Sequence, residues 1–311
     1  MVHKYLRNLV LQLVGPEKLK GMLIHELDDS TRKHLHTWAR HGMVDVKEVI
    51  AEQTPLKKRL TNIYIYQLYV GRKNAMKVIE EIFEERKKST TPHHDFLDHF
   101  IEEVKREGAI MTEAIAVNLV FLLLFASYET TSEATTLAIK FISDHPQVQA
   151  ELAKEHEAIL RSRDNEESEI TWQEYKSMTF THMVINETVR LANIVPGIFR
   201  KAVEDVEVKG YTIPKGWLVM VVPSVLHLNP TTYNDPLAFN PWRWEGKELH
   251  VGSKTFMAFG GGVRLCAGAD FSKLVMAIFS ITSWKVTKGG EIIRKPGLVF
   301  PNGLHIEISE K

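Results

Sequence analysis

The chain has 311 residues, 44% of them hydrophobic and 25% charged, an ordinary globular composition with length enough for one large core. Its 39 basic and 39 acidic residues cancel, which gives no electrostatic footing for nucleic acid or an anionic membrane surface. A single cysteine excludes an internal disulfide framework and leaves that residue as a packed hydrophobe, a reactive thiol or a ligand.

The amino-terminal stretch MVHKYLRNLVLQLVG lacks the apolar core and small-residue cleavage site of a signal peptide. Farther on, Ala75, Val78, Ile79, Ile82 and Phe83 recur at helical spacing with charges opposite, which predicts an amphipathic helix. The longest apolar run, Ala114 to Ala126, is interrupted only by Asn118. A membrane span needs about 20 apolar residues, so this run reads as a buried helix, and no transmembrane anchor is expected in the chain as written. That helix is predicted over Met111 to Ile142, closed at Asp144-His145-Pro146, where proline breaks it. A further amphipathic helix, Gln147 to Arg161, ends in the polar run RSRDNEESE, expected as a solvated loop. Another covers Met178 to Ala192, ahead of Pro196.

From Ile198 to Val222 the character changes. Short β-branched pieces (IFRKAV, VEV, YTI, WLVMVV) alternate with turns at Lys209-Gly210 and Pro214-Lys215-Gly216. A proline-rich irregular stretch, Pro223 to Trp244, leads to the loop MAFGGGVRLCAG, one more helix, and a tail of strands and turns from Trp284 to Ile308. No repeat period appears. The pattern predicts one α+β, mainly helical domain over residues 1–311: helices in 1–192, then sheet, cysteine loop and terminal strands in 193–311.

The cysteine loop carries the chemistry. Three successive glycines before Val263 permit positive φ and let backbone approach a flat object closely. Loop N–H groups and the following helix N-terminus would lower the Cys266 pKa and keep a thiolate, and Arg264 is placed to pair with an acidic group on a ligand. A thiolate on heme iron donates electron density that favours O–O cleavage. A cysteine hydrolase is the remote alternative, because the neighbourhood matches neither local signature of such enzymes, and a phosphate loop lacks its lysine–serine/threonine ending.

Phe259, Gly262, Arg264, Cys266 and Gly268, spaced Phe-x-x-Gly-x-Arg-x-Cys-x-Gly, resemble the heme-binding signature of the cytochrome P-450 superfamily. The resemblance implies that fold without its N-terminal anchor and first strands, heme b held through Cys266 as axial iron ligand, and monooxygenation with O2. Glu187-Thr-Val-Arg190 resembles the family's Glu-x-x-Arg motif, although Glu103/Arg106 and Glu291/Arg294 share the spacing. Phe239-Asn-Pro241-Trp-Arg243-Trp244 is similar to the Pro-x-Arg element, whose Arg243 would close a buried, purely structural network with Glu187 and Arg190. Ala126 to Thr131 resembles the distal oxygen-activation motif, with Thr130 as hydrogen-bonding hydroxyl and Glu129 as proton source; Ser127 departs from the usual glycine and could narrow the groove or bond the i−4 carbonyl. His3 and Arg7 sit where the family has Trp-x-x-x-Arg, and Arg200 matches another arginine; all three are expected as heme propionate anchors.

His93, His94, Asp95 and His99 form a competing metal cluster, read instead as solvated residues of a helix started at Thr91-Pro92. Segments such as WQEYKSMTFTHMVINETVR and FNPWRW look most like plant members that oxidise sterols, brassinosteroids or triterpenes. The implied partners are a flavoprotein reductase carrying NADPH electrons, a lipophilic substrate and O2, with the protein a monomer at the endoplasmic reticulum membrane, or cytoplasmic as written. The chain has no strand–GxGxxG–helix unit for a nicotinamide of its own. Relatives start well before the position of His3, and the helix after the cysteine looks short at Phe279 to Trp284, so a heme-binding but inactive product is the alternative.

Overall fold

The computed structural model describes residues 2–52, 68–89, 91, 95–165, 168–247, 253–281, 284–294 and 297–308. Helix α1 (Val2–Val14) runs through two short turns into α2 (Ile24–His41), strand β1 (Met43–Asp45) and helix α3 (Val46–Glu52). Helices α4 (Leu68–Lys88), α5 (Phe96–Lys105), α6 (Glu113–Asp144), α7 (Pro146–Arg161), α8 (Trp172–Ser177) and α9 (Thr179–Ala192) follow. Then come β2 (Ile198–Lys201), β3 (Val206–Val208), β4 (Tyr211–Ile213), β5 (Leu218–Val221) and the short α10 (Pro223–His227). After two 3-10 turns, Pro241–Trp244 and Gly262–Arg264, the chain ends in α11 (Ala269–Ser280), β6 (Trp284–Gly289), β7 (Ile293–Arg294), β8 (Leu298–Val299) and β9 (Leu304–Ile308). The fold is α+β and mainly helical, as the periodicity implies.

Helix α6 is the spine. Thr112 caps it by accepting the Ile115 N–H, Glu113 faces the positive end of its dipole, and Pro146 prevents continuation past His145. By length and composition it passes for a membrane span. Yet Thr131 to Ile139 are all buried, because α3, α9 and α11 pack around this half. Its first half buries Ala116, Val117, Leu119 and Val120 against α4 and α5 but exposes Leu122 and Phe125. One continuous core joins α2, α9, α11 and the three-stranded antiparallel sheet β1-β9-β6, so residues 43–45 pair with the C-terminal strand: Val44 opposite Ile306. Two-stranded sheets β2–β5 and β3–β4 match the predicted turns at Lys209-Gly210 and Gly216, where Lys209, Gly210 and Gly216 all have positive φ, and β7–β8 form a third pair.

Two details differ from the sequence pattern. Helix α5 begins at Phe96, capped by the Asp95 carboxylate, which accepts from Leu97 and Asp98 N–H and pairs with Arg86 at 2.9 Å. That explains where Asp95 spends its charge; His93 and His94 lie outside the described residues, and among the described residues no group of three acidic, histidine or cysteine side chains could hold a metal. The polar run after α7 is not merely solvated either. Arg163 is nearly buried, binds Glu174 on both oxygens and donates to Ser168 carbonyl, which also accepts from Arg32 of α2.

Candidate functional site

The cysteine loop is wound tightly by its own backbone. Gly260 N–H donates to Met257 O, Leu265 N–H to Gly262 O, and Cys266 N–H to Phe259 O at 2.9 Å. Gly260 and Gly262 sit at φ +76° and +63°, which L side chains tolerate poorly, so the turn demands glycine there. Gly268 is different. Its φ is −96°, and a Cβ on it would meet no protein atom within 4 Å. Nothing inside the chain requires glycine at that position, whereas a flat group laid against the loop would.

Cys266 is exposed at this surface. The expected lowering of its pKa is not what the fold produces alone: protein crowding its other sides pushes the thiol up, and the Gly268 N–H and Arg7 only partly offset this. Arg7 of α1 reaches over and donates to the carbonyl of Leu265, next to the cysteine. His3, a turn earlier, is held below its ordinary value by desolvation and by Arg264 and Arg7. So Arg7 and Arg264, 257 positions apart, form one cationic pair beside Cys266, with His3 held toward its neutral form next to them, and among the described residues no carboxylate pairs with the three. Such a cluster fits the acidic edge of a bound ligand. Arg200 is not joined to it; exposed on β2, it donates to its own neighbour's carbonyl at Phe199. Phe259 is half-buried, with Lys273 5.6 Å above its ring.

On α6, Thr130 is half-buried and its Oγ1 donates to Ala126 O at 2.7 Å. Ser127 bonds the i−3 carbonyl of Leu124, not the i−4 carbonyl, and with Tyr128, Thr131 and Ser132 it lines a small cavity of about 30 Å³ toward α2, α3 and α11. Glu129 accepts from Lys47 of α3 at 2.8 Å. No sequence signal linked Lys47 to this helix, because the contact spans 82 positions.

The three Glu-x-x-Arg pairs separate by environment. Glu187 and Arg190 are both fully buried and bound through two hydrogen bonds of 2.8 and 2.9 Å. Glu187 also accepts from Arg243, Trp244 and the Asn240 N–H, while Arg190 donates onward to the carbonyls of His227, Pro236 and Ala238. Glu103 is buried and takes Tyr5 as well as Arg106, whose own side chain is mostly exposed. Arg294 turns away from Glu291 and caps the C-terminus of α9 at Leu191 and Ala192.

His227 was not singled out by the sequence, yet it ties this network to the cysteine loop. Its carbonyl holds Arg190, its Nδ1 meets Asn193 Oδ1 at 3.1 Å, and its Nε2 accepts the Met257 N–H at 3.0 Å. Asn193 reaches it from a left-handed conformation at the end of α9. Burial, with help from Arg190, lowers His227 to about 4, which keeps Nε2 an acceptor at neutral pH. Replacing His227 by phenylalanine strands a buried N–H and should cost about 1–3 kcal/mol in urea unfolding, while His227→Gln recovers much of it.

A family model described as Cytochrome P450 matches residues 27–283. Cytochrome P450 87A3 of Oryza sativa subsp. japonica is 47% identical over 350 residues, covering 100% of this chain and 68% of that protein. The beta-amyrin 16-alpha-hydroxylase of Maesa lanceolata is 37% identical (100% and 73% covered), and the cucurbitadienol 11-hydroxylase of Siraitia grosvenorii 36% (100% and 74%). The structure of retinoic acid-bound cyanobacterial CYP120A1 superposes with a TM-score of 0.81 at 22% identity, over 97% of this chain and 78% of that one, a likeness of fold.

Proposed function

Because the chain belongs to the cytochrome P450 family and is thereby a heme b-dependent monooxygenase, we propose that it hydroxylates a lipophilic terpenoid-type substrate, a sterol, brassinosteroid or triterpene. NADPH electrons reach such enzymes through a reductase, and we assign that role here to a separate flavoprotein at the endoplasmic reticulum membrane, with this protein a monomer. The substrate class is supported by the two hydroxylases above, whose named substrates are beta-amyrin and cucurbitadienol. The exposed Leu122 and Phe125 on α6 offer the apolar lining such a substrate needs.

The residues fit the cofactor. Cys266 would hold it through sulfur, Gly268 leaves the space against which it lies, Arg7 and Arg264 would supply the unpaired positive charge for its propionates, and His3 would offer them an N–H donor. Arg200, apart from that group, would need to swing from Phe199 O to join them. The bound heme supplies reductive activation of O2 and insertion of one oxygen atom into a C–H bond. Around it, Thr130 positions a hydroxyl on the open face of α6 and Glu129, next along the helix, supplies the proton. Glu187, Arg190 and Arg243 act structurally, fixing residues 234–244 against α9.

The observation that carries this assignment is the Arg7–Leu265 bond, which seats an unneutralised cationic group within one residue of Cys266. Its test is a carbon-monoxide difference spectrum of the reduced, heme-loaded protein, followed by turnover with a reductase on a panel of sterols, brassinosteroids and triterpenes. A strongly red-shifted Soret band and hydroxylated product are expected; a histidine-like band with no product from any of the panel sinks it. In the same assay Thr130→Ala should lower product formation by about 10- to 100-fold while NADPH oxidation continues and hydrogen peroxide accumulates.

A further inference from the structure

Two carboxylates of α6 converge on one lysine. Glu129 and Glu133 lie one turn apart on the same face, and the Lys47 ammonium stands 2.8 Å from Glu129 Oε1 and 3.3 Å from Glu133 Oε1. Among the described residues, Lys47 is the one cation within hydrogen-bonding distance of either carboxyl. Two negative charges against one positive leave an excess, and the two carboxyls are unequal: the Glu133 side chain is 9% exposed, that of Glu129 37%. A compensating proton is most stable on the more buried oxygen. Burial pushes Glu133 up to about 7, with Lys47 pulling it down and Glu129 raising it further. For Lys47 burial lowers the value, and the bonds and charges of Glu129 and Glu133 more than reverse this.

Several of the other charged groups on the elements packed here are engaged elsewhere. Asp45 of β1 accepts from the N–H groups of Lys47 and Glu48 and faces His305 of β9 at 3.8 Å. Asp28 of α2 binds Arg32 and the Ile170 N–H, Lys273 of α11 lies over Phe259, and Lys140 pairs with Asp144 on α6 itself. Glu48 on α3, Asp270 on α11, and Glu26, Asp29, Lys33 and Arg40 on α2 also carry charge on these elements, with Asp29 and Lys33 paired to each other at 2.6 Å.

Resting on the assignment of Glu129 as proton source, we propose that Lys47 and Glu133 are positioning residues that reload it: Glu133 keeps a proton while Lys47 pairs with the Glu129 carboxylate, and the two carboxyls exchange these states. The O–H bond broken at Glu133 is remade at Glu129, the ammonium passes to the new Glu133 carboxylate, and Glu133 regains its proton from solvent. The exchange between the two carboxyls leaves the trio neutral; it carries one negative charge only from the moment Glu129 gives up its proton until Glu133 regains one from solvent. A carboxyl raised in this way carries its proton below its own midpoint and loses it above, so reloading fades as pH rises through neutrality.

The experiment uses the heme-loaded protein with reductase, NADPH and a hydroxylated substrate from the panel, reading peroxide released per NADPH oxidised against pH. Infrared titration of the carboxyl C=O stretch is run on the same protein without reductase. Peroxide release should climb through neutral pH, with a protonated-carboxyl band bleaching at the same midpoint. Glu133→Gln, which keeps the hydrogen bond to Lys47, should erase the band and hold peroxide release at the high-pH level throughout. Lys47→Met should raise the midpoint by about one pH unit, and Lys47→Arg should restore it. A band and a pH profile that survive Glu133→Gln overturn the inference, and the role of Glu129 stands alone if Glu129→Gln still raises peroxide release. If Glu129→Gln changes nothing, both fall together.

Discussion

Cys266→Ser should lower monooxygenation by at least about a thousandfold, about 4 kcal/mol of barrier, with loss of the red-shifted carbon-monoxide band. The chain itself should be little affected. Cys266 is exposed, the bond it makes to the loop runs from its backbone N–H to Phe259 O, and serine keeps that bond. Unfolding of the heme-free protein should therefore shift by no more than about 0.5 kcal/mol. The contrast separates a ligand from a packed hydrophobe, the bland fate of a lone cysteine, because a buried cysteine would give the reverse: a stability loss and an unchanged spectrum. Retention of pigment, band and product in the serine variant would overturn the assignment.

How far the sequence reached follows from the range of each interaction. The helices were legible because their signals are local: the period in Ala75 to Phe83, the apolar run from Ala114, Pro146 behind Asp144. Boundaries drifted where the cap decides, by four positions when Asp95, not Thr91-Pro92, starts α5. The cysteine loop was legible as a contiguous motif, and its positive-φ glycines were inferable from composition alone. What escaped was every partner fixed by packing. Lys47 meets Glu129, His227 meets Met257 and Asn193, and Arg163 meets Glu174 through contacts that no spacing rule encodes. The thiol direction escaped for the same reason, since a loop's N–H groups can be counted in a sequence while the crowding around a sulfur cannot.

The internal arginine network gives the other large effect. Arg190→Ala removes a guanidinium whose Nε, Nη1 and Nη2 all donate at zero exposure, and it leaves the Glu187 carboxylate buried with Arg243 as its remaining charged partner. Breaking a buried pair costs about 3–5 kcal/mol, against a typical total stability of about 5–15 kcal/mol. The variant should be largely unable to hold heme, as urea unfolding and pigment yield would show. Arg190→Lys should fare nearly as badly, because an ammonium cannot present two parallel N–H groups to Glu187 and also reach the carbonyls of His227 and Pro236. Lys154→Ala, in an i,i+3 pair exposed at both ends, should cost no more than about 1 kcal/mol and serves as the control. An apolar core of equal volume could be as stable as this ionic one, so stability alone does not explain the charges. Their geometry does: Arg190 binds the carbonyl of the same His227 whose ring holds Met257, which fixes the start of the cysteine loop relative to α9. If Arg190→Lys matched the wild type in both unfolding and carbon-monoxide band, that linkage would be refuted and the network reduced to buried charge without consequence for the heme.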